Sequence, residues 1–304
     1  MHKLLIIARD SDQYRQQIEM AALPLLEFVE SASEEVELVL GEPTGIRALL
    51  PALPALKWVQ STWAGVEPLL DPALRRDYLL TNARGVFGGL MSEFVFGYLL
   101  MHERRILQRL DAQKQGKWDP TLTGTLRGKT IGLLGVGSIG AHLAGSAKHF
   151  GMAVYGYTRS SETCGQVDRY YHAAELGAFA AGLDVLVNVL PNTSQTRKIV
   201  DAGLLAALHP RAVFINVGRG TALDEPALVS ALETDRLALA VLDVFEQEPL
   251  PARHPFWHTK NLFITSHTAA PSFPQDIVKV FIENYRLFSS GKALNYQVDF
   301  ERGY

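Results

Sequence analysis

Short apolar runs alternate with longer stretches of helical periodicity along almost the whole chain, which is the pattern of parallel βαβ construction. In the first third, Lys3–Ala8, Val36–Leu40 and Lys57–Gln60 predict strands, and the proline-rich segment Pro43–Pro54 joins the last two. From Ser92 to Gln115 the spacing predicts one long helix with Ser92 as its N-cap, since no proline interrupts it before Pro120. From Lys129 onward, strands are expected over Thr130–Leu134, Ala153–Tyr157, Asp184–Leu190, Val213–Val217, Leu239–Val244 and Leu262–Thr265. These runs are apolar without alternation, as strands buried on both faces must be. Helices are expected between them, including Asp201–Leu208 and one opened by Asp224 with Pro226 in its first turn. After Pro274 an amphipathic helix runs to Ser290, where Gly291 ends it. No internal repeat or low-complexity tract breaks the pattern.

The first strand of the second part runs straight into Gly135-Val136-Gly137-Ser138-Ile139-Gly140, a G-x-G-x-x-G with a helix following it to Phe150. Gly135 permits the tight turn, Gly137 lets the backbone approach a pyrophosphate, and Gly140 allows the helix to pack closely on the strand. The helix N-terminus at Ser138 and Ile139 attracts the negative charge. A glycine-rich turn alone is weak evidence; the strand before it, the helix after it and the second strand together predict dinucleotide binding. That second strand ends in Tyr157-Thr158-Arg159-Ser160-Ser161, without the carboxylate that usually meets the ribose hydroxyls. An arginine flanked by hydroxyls suits a 2′-phosphate, hence NADP(H) over NAD(H), although Arg159 also fits a solvated loop.

Three later segments carry polar groups at the carboxyl ends of strands, where open α/β sheets bind ligands. Arg219 lies in Asn216-Val217-Gly218-Arg219-Gly220, Glu248 in Asp243-Val244-Phe245-Glu246-Gln247-Glu248-Pro249, and His267 in Ser266-His267-Thr268-Ala269. Taken singly, His267 reads as a structural histidine, Glu248 as a surface charge and Arg219 as a packing ion pair. Taken together and in this order, they read as one catalytic cleft.

Composition narrows the class. The 304 residues are 47% hydrophobic and 20% charged, enough to bury a large core, and the formal charge of -3 offers no broad basic surface to nucleic acid or anionic membrane. One cysteine, Cys164, excludes an internal disulfide framework and fits a reducing, cytoplasmic setting. No apolar run reaches the length of a bilayer span, and no metal-ligand spacing stands out.

In these residues the chain resembles the D-isomer-specific 2-hydroxyacid dehydrogenase family, and in particular its glyoxylate and hydroxypyruvate reductase branch. The resemblance rests on the ordered set of cofactor loop, Leu190-Pro191-Asn192-Thr193, Asn216–Gly220, Asp243–Pro249 and Ser266–Ala270, and extends from the Lys57–Leu69 loop to the C-terminal tail. It implies two doubly wound parallel-sheet lobes. One is a flavodoxin-like substrate-binding domain of residues 1–94, completed by 276–304; the other is a Rossmann nucleotide-binding domain of residues 95–275. It implies a reductase of small 2-keto acids, working as a homodimer. Arg219 would hold the substrate carboxylate and keto oxygen, His267 would protonate that oxygen, and Glu248 would orient the imidazole and favour its protonated form. Asp243 would contact the nicotinamide carboxamide, and Leu190, Pro191, Thr196, Val217 and Gly218 would line the cofactor with Thr158, Arg159 and Ser160. In Ser61–Glu67, the amides of Ala64 and Gly65 would bind the carboxylate, while Trp63 would line the substrate pocket or fill core. Three departures from the family pattern are Ser266 for proline, Ala240 for glycine and Thr158 for an acidic residue. A cofactor-sensing corepressor built on the same fold is the alternative.

Overall fold

In the computed structural model, which describes residues 1–303, the chain divides into two units, one of residues 1–86 with the segment from Ser272, the other Phe87–Pro271. In the first, the elements run β1 (His2–Ile7), α1 (Ser11–Met20), β2 (Leu26–Val29), β3 (Leu38–Gly41), α2 (Pro43–Leu49), β4 (Trp58–Ser61) and β5 (Leu79–Thr81). They form a parallel sheet in the order β2-β1-β3-β4-β5. Two of these strands, β2 and β5, have no counterpart in the apolar pattern. Both are short edge strands, of four and three residues, and a run that short carries little periodicity. The proline-rich segment joining β3 and β4 begins with a helix, and Pro43 occupies its first turn, where a missing N–H costs nothing.

In the second unit, α3 (Gly88–Glu103) and α4 (Ile106–Lys114) lead into β6 (Thr130–Leu134), α5 (Ser138–His149), β7 (Ala153–Tyr157), β8 (Arg169–Tyr171) and α6 (Leu176–Ala180). Then come β9 (Val185–Asn188), α7 (Ala202–Ala207), β10 (Ala212–Asn216), α8 (Glu225–Glu233), β11 (Leu237–Leu242) and β12 (Leu262–Ile264). The seven strands are parallel, in the order β12-β11-β10-β9-β6-β7-β8. Successive residues alternate between two cores: Ile131 and Leu133 face Val95, Phe96, Leu143 and Ala147, whereas Leu134 faces Phe179, Leu186 and Phe214. Both faces are dry, which is why these strands carry unbroken apolar runs.

The single helix expected over Ser92–Gln115 is two helices. Arg105 adopts a left-handed conformation with φ of 53° and breaks it, and α4 beyond the break buries none of its residues. Ser92 is no cap; it lies inside α3, buried, with its hydroxyl 2.8 Å from the His142 ring. The change of unit accordingly comes at residue 87 rather than at 94/95. The first turn of α3 already packs on α5, where a Cβ on Gly88 would lie 2.7 Å from His142. The return comes at Ser272 rather than 275/276, because Ser272 Oγ donates to the Thr62 carbonyl at 2.7 Å. The last helix, α9 (Pro274–Ser289), belongs to the first unit, packing on α1 and stacking Phe281 on Trp58 at 5.2 Å.

Candidate active site

The cofactor loop has the shape a pyrophosphate requires. Gly135 sits at φ +99°, and Gly140 passes so close that a Cβ there would lie 2.2 Å from the Gly135 carbonyl oxygen. The amides of Ser138, Ile139 and Gly140 have no partner among the described residues, as the first turn of a helix leaves them, and they present donors to an anion. The loop fits a dinucleotide.

One strand further out, the loop after β7 differs from expectation. Thr158 is buried, and its hydroxyl donates to the Ser161 carbonyl at 2.8 Å instead of facing outward. Arg159 and Ser160 are exposed, as are Ser161, Glu162 and Thr163 after them. The structure also brings in two residues the sequence did not flag. The His172 ring lies between Thr158 and Glu162, with Nδ1 at 3.0 Å from the Thr158 carbonyl and Nε2 at 2.7 Å from the Glu162 carboxylate.

At the centre of the same edge, Asn188 and Asn216 end β9 and β10 fully buried and joined by a 2.9 Å hydrogen bond between Asn188 Nδ2 and Asn216 Oδ1. Each shapes the turn that follows it. The Leu190 amide donates to Asn188 Oδ1, while Asn216 Oδ1 accepts from the Gly218 amide and Asn216 Nδ2 donates to the Arg219 carbonyl. Gly220 then lets the Arg219 turn rest on the next loop, for a Cβ there would meet the Phe245 backbone at 1.9 Å. A polar residue closing two otherwise apolar strands was the available signal for this amide pair. In the Leu190–Thr196 turn, Thr196 is turned inward, its hydroxyl donating to the Pro191 carbonyl at 2.7 Å.

Glu248 and His267 meet as expected. Glu248 Oε1 accepts from the Phe245 amide at 2.9 Å, and Oε2 faces His267 Nδ1 at 2.8 Å. Nε2 of His267 has no partner among the described residues, and the side chain is 55% exposed. The Glu248 hydrogen bond holds the His267 pKa above the ordinary imidazole value, against an opposing effect of burial and of Arg219. For Glu248, burial pushes the carboxyl up, but the bonds from His267 and Phe245 outweigh it and hold it below the usual range.

His267 stands in the left-handed region at φ 56°. Asp243 accounts for that conformation. Its carbonyl accepts from the His267 amide at 2.8 Å, and its carboxylate accepts from Thr265 Oγ1 and from the Thr268 and Ala269 amides at 2.6, 2.8 and 3.0 Å. Asp243 is 1% exposed, so its carboxylate is turned into the His267 turn.

In the first unit, the Ser61–Glu67 loop is built by its own polar groups. Ser61 Oγ bonds both the amide and the carbonyl of Trp63, and Asn82 Nδ2 donates to the Ala64 carbonyl at 2.8 Å. The Ala64 and Gly65 amides have no partner among the described residues, and Trp63 is exposed rather than core.

Residues 96–269 match the model of the D-isomer specific 2-hydroxyacid dehydrogenase NAD-binding domain. The chain belongs to the D-isomer-specific 2-hydroxyacid dehydrogenase family. It is 35% identical over 258 residues, 82% of each chain, to glyoxylate/hydroxypyruvate reductase A of Serratia proteamaculans. A family member of solved structure from Aeromonas salmonicida superposes with a TM-score of 0.93 at 42% identity, covering 98% of this chain and 99% of that one. An NADPH-dependent glyoxylate/hydroxypyruvate reductase from Sinorhizobium meliloti, solved with NADP and sulfate, gives a TM-score of 0.90 at 29% identity over the full length of both. This dehydrogenase is therefore a nicotinamide-dependent oxidoreductase acting on 2-keto or 2-hydroxy acids, and nothing in its relatives supports the corepressor alternative. Among the described residues, no cluster of ligating side chains for a metal and no helix long and apolar enough to cross a membrane occurs.

Proposed function

We propose that this dehydrogenase reduces small 2-keto acids such as glyoxylate or hydroxypyruvate to D-2-hydroxy acids, using NADPH in preference to NADH. The observation that carries the reading is the His267 ring, with Nδ1 held by a carboxylate and Nε2 left to the outside. A ring so held delivers a proton from Nε2 to the keto oxygen, and the Glu248 charge stabilises the imidazolium before that transfer. Arg219 takes the substrate carboxylate, since its planar fork matches two oxygens. The open amides of Ala64 and Gly65 suit a carboxylate as well. Asp243 keeps the His267 turn in shape, and when bound the reduced nicotinamide supplies the hydride.

For the cofactor, Ser138–Gly140 offer amides to the pyrophosphate, and Arg159 with Ser160 answers a 2′-phosphate. A charge-assisted hydrogen bond contributes about 1.5–3 kcal/mol, reduced by solvent at an exposed loop. That corresponds to a preference of roughly tenfold to a hundredfold in kcat/KM for NADPH. Measuring kcat/KM with both cofactors on one keto acid tests this, and equal use of the two would refute it.

We further propose a homodimer. In support, α4 and the segment after it expose Ile106, Leu107 and Leu110, with Trp118 at 93% and Leu122 at 91% exposure. A monomer by light scattering at micromolar concentration would exclude it. The lone cysteine supports a cytoplasmic setting.

A further inference from the structure

We propose that His172 is a positioning residue for the 2′-phosphate, holding the exposed Glu162 of the loop after β7 in an imidazolium–carboxylate pair. The proposal rests on the NADPH reading above. Strand β8 pairs with β7 so that Tyr171 lies opposite Tyr157, which places His172 and Thr158 side by side at the carboxyl edge of the sheet. The Thr158 amide donates to the Tyr171 carbonyl at 3.1 Å, tying the two strand ends together. His172 then reaches across the turn that Arg159 and Ser160 occupy.

The hydrogen-bond inventory around the ring decides its protonation. Nδ1 lies 3.0 Å from the Thr158 carbonyl oxygen, which only accepts. It also lies 3.2 Å from Thr158 Oγ1, whose own proton goes to the Ser161 carbonyl, so that oxygen accepts as well. Nε2 faces the Glu162 carboxylate at 2.7 Å. Each of these three oxygens asks for an N–H, and a neutral ring would turn one lone pair toward an oxygen. The imidazolium is the form that satisfies both sides.

The remaining charged and titratable groups around the ring agree. Glu175, on the turn after β8, accepts from the His172 amide at 2.8 Å, and Tyr170 on β8 stacks parallel to the ring at 6.4 Å. Glu162, Glu175 and the Thr158 carbonyl together hold the His172 pKa above the ordinary value, with the Glu162 hydrogen bond foremost. The pair is intact below that raised pKa and comes apart as pH rises through it.

The consequence concerns Glu162. A carboxylate in this loop repels a doubly charged 2′-phosphate, and Glu162 is the acidic residue that the turn after Thr158 does contain. Bound to His172, its charge is offset and its carboxylate is tied to the ring. Released, it would oppose the phosphate.

The test uses 2′,5′-ADP and 5′-AMP, which differ only in the 2′-phosphate, titrated calorimetrically into the full chain at pH 7 and pH 9. The phosphate is dianionic at both, its second pKa being about 6. For wild type, affinity for 2′,5′-ADP should fall several-fold relative to 5′-AMP between the two pH values. His172→Gln should bind 2′,5′-ADP roughly tenfold more weakly at pH 7, an effect of about 1.4 kcal/mol, with little further change at pH 9. His172→Gln with Glu162→Gln should recover most of the loss. Unchanged binding in His172→Gln, or no recovery in the double variant, overturns the proposal. Wild type that binds both nucleotides equally at each pH overturns the NADPH reading, and this inference with it. The Glu162→Gln single variant adds a readout independent of ligand: the His172 ring should titrate at lower pH by NMR than in wild type, and an unchanged titration would count against the pair.

Discussion

His267 and His172 both follow strands of the seven-stranded sheet, and both face a glutamate at hydrogen-bond distance, 2.8 and 2.7 Å. In each the glutamate raises the imidazole pKa. They differ in the other nitrogen. In His267 only Nδ1 is engaged, so Nε2 can give up and regain a proton. In His172 both nitrogens are engaged, so the ring holds a loop. A histidine–carboxylate pair is thus not in itself a sign of acid–base chemistry; the unengaged nitrogen is. The backbone makes the same distinction, for His267 is held at φ 56° by a buried aspartate, whereas His172 lies at φ -139° in extended backbone.

The largest expected effect breaks the comparison at His267. His267→Asn keeps a residue that tolerates the left-handed region, so the turn on Asp243 should survive. It removes the proton donor, so kcat for keto-acid reduction should fall by about a hundredfold or more. NADP(H) affinity, measured by fluorescence titration, should hold. Near-normal turnover in this variant would mean that His267 is not the acid.

Much of this was legible in the chain, for definite physical reasons. Strands β6, β9, β10 and β11 are buried on both faces, so their unbroken apolar runs announce them. Arg219 and Glu248 stand beyond β10 and β11, and His267 beyond the edge strand β12, whose three residues Leu262, Phe263 and Ile264 are all apolar, so their meeting follows from the parallel topology. Of the short edge strands, β12 is wholly apolar and could be read, whereas β8 (Arg169-Tyr170-Tyr171) opens on an exposed arginine; missing it hid the His172–Glu162 pair, which exists because β8 joins the sheet beside β7. Asn188 and Asn216 read as turn residues until the structure shows them buried and bonded to each other. Thr158 lay at the right loop, but its spacing could not tell that the hydroxyl turns inward to Ser161.

The next effect sharpens what surrounds the acid. Arg219→Lys keeps the charge but loses the fork, and the side chain's bond to its own Gly218 carbonyl at 2.8 Å is local to the turn. One lost charge-assisted bond of about 1.5–3 kcal/mol lowers kcat/KM roughly tenfold to a hundredfold. The melting temperature should stay within about 2 °C, because Asn216 still holds the turn through the backbone. A variant that unfolds readily yet keeps its kcat/KM would make Arg219 a structural residue.

The smallest effect at neutral pH, and the one that bears most directly on the comparison, is that of Glu248→Gln. Both oxygens of Glu248 accept, one from Phe245 and one from His267. An amide has a single acceptor oxygen, so one of these contacts must face an NH2. If the oxygen stays with His267, the negative charge is lost. If it turns to Phe245, the NH2 meets Nδ1 and favours a ring without a proton there. Either arrangement lowers the imidazole pKa. With His267 as the proposed acid, reduction draws on the imidazolium, so its rate should be present below that pKa and decline as pH rises through it. The alkaline limb of kcat for reduction should therefore move to lower pH, with the rate recovering toward wild type in acid. Oxidation of the hydroxy acid needs the neutral ring, so its acidic limb should move the same way and extend to lower pH. Glu162→Gln should move neither limb, since His172 gives no proton to the substrate. Coincident pH profiles for Glu248→Gln and wild type would show that the two pairs differ in something other than the proton they carry.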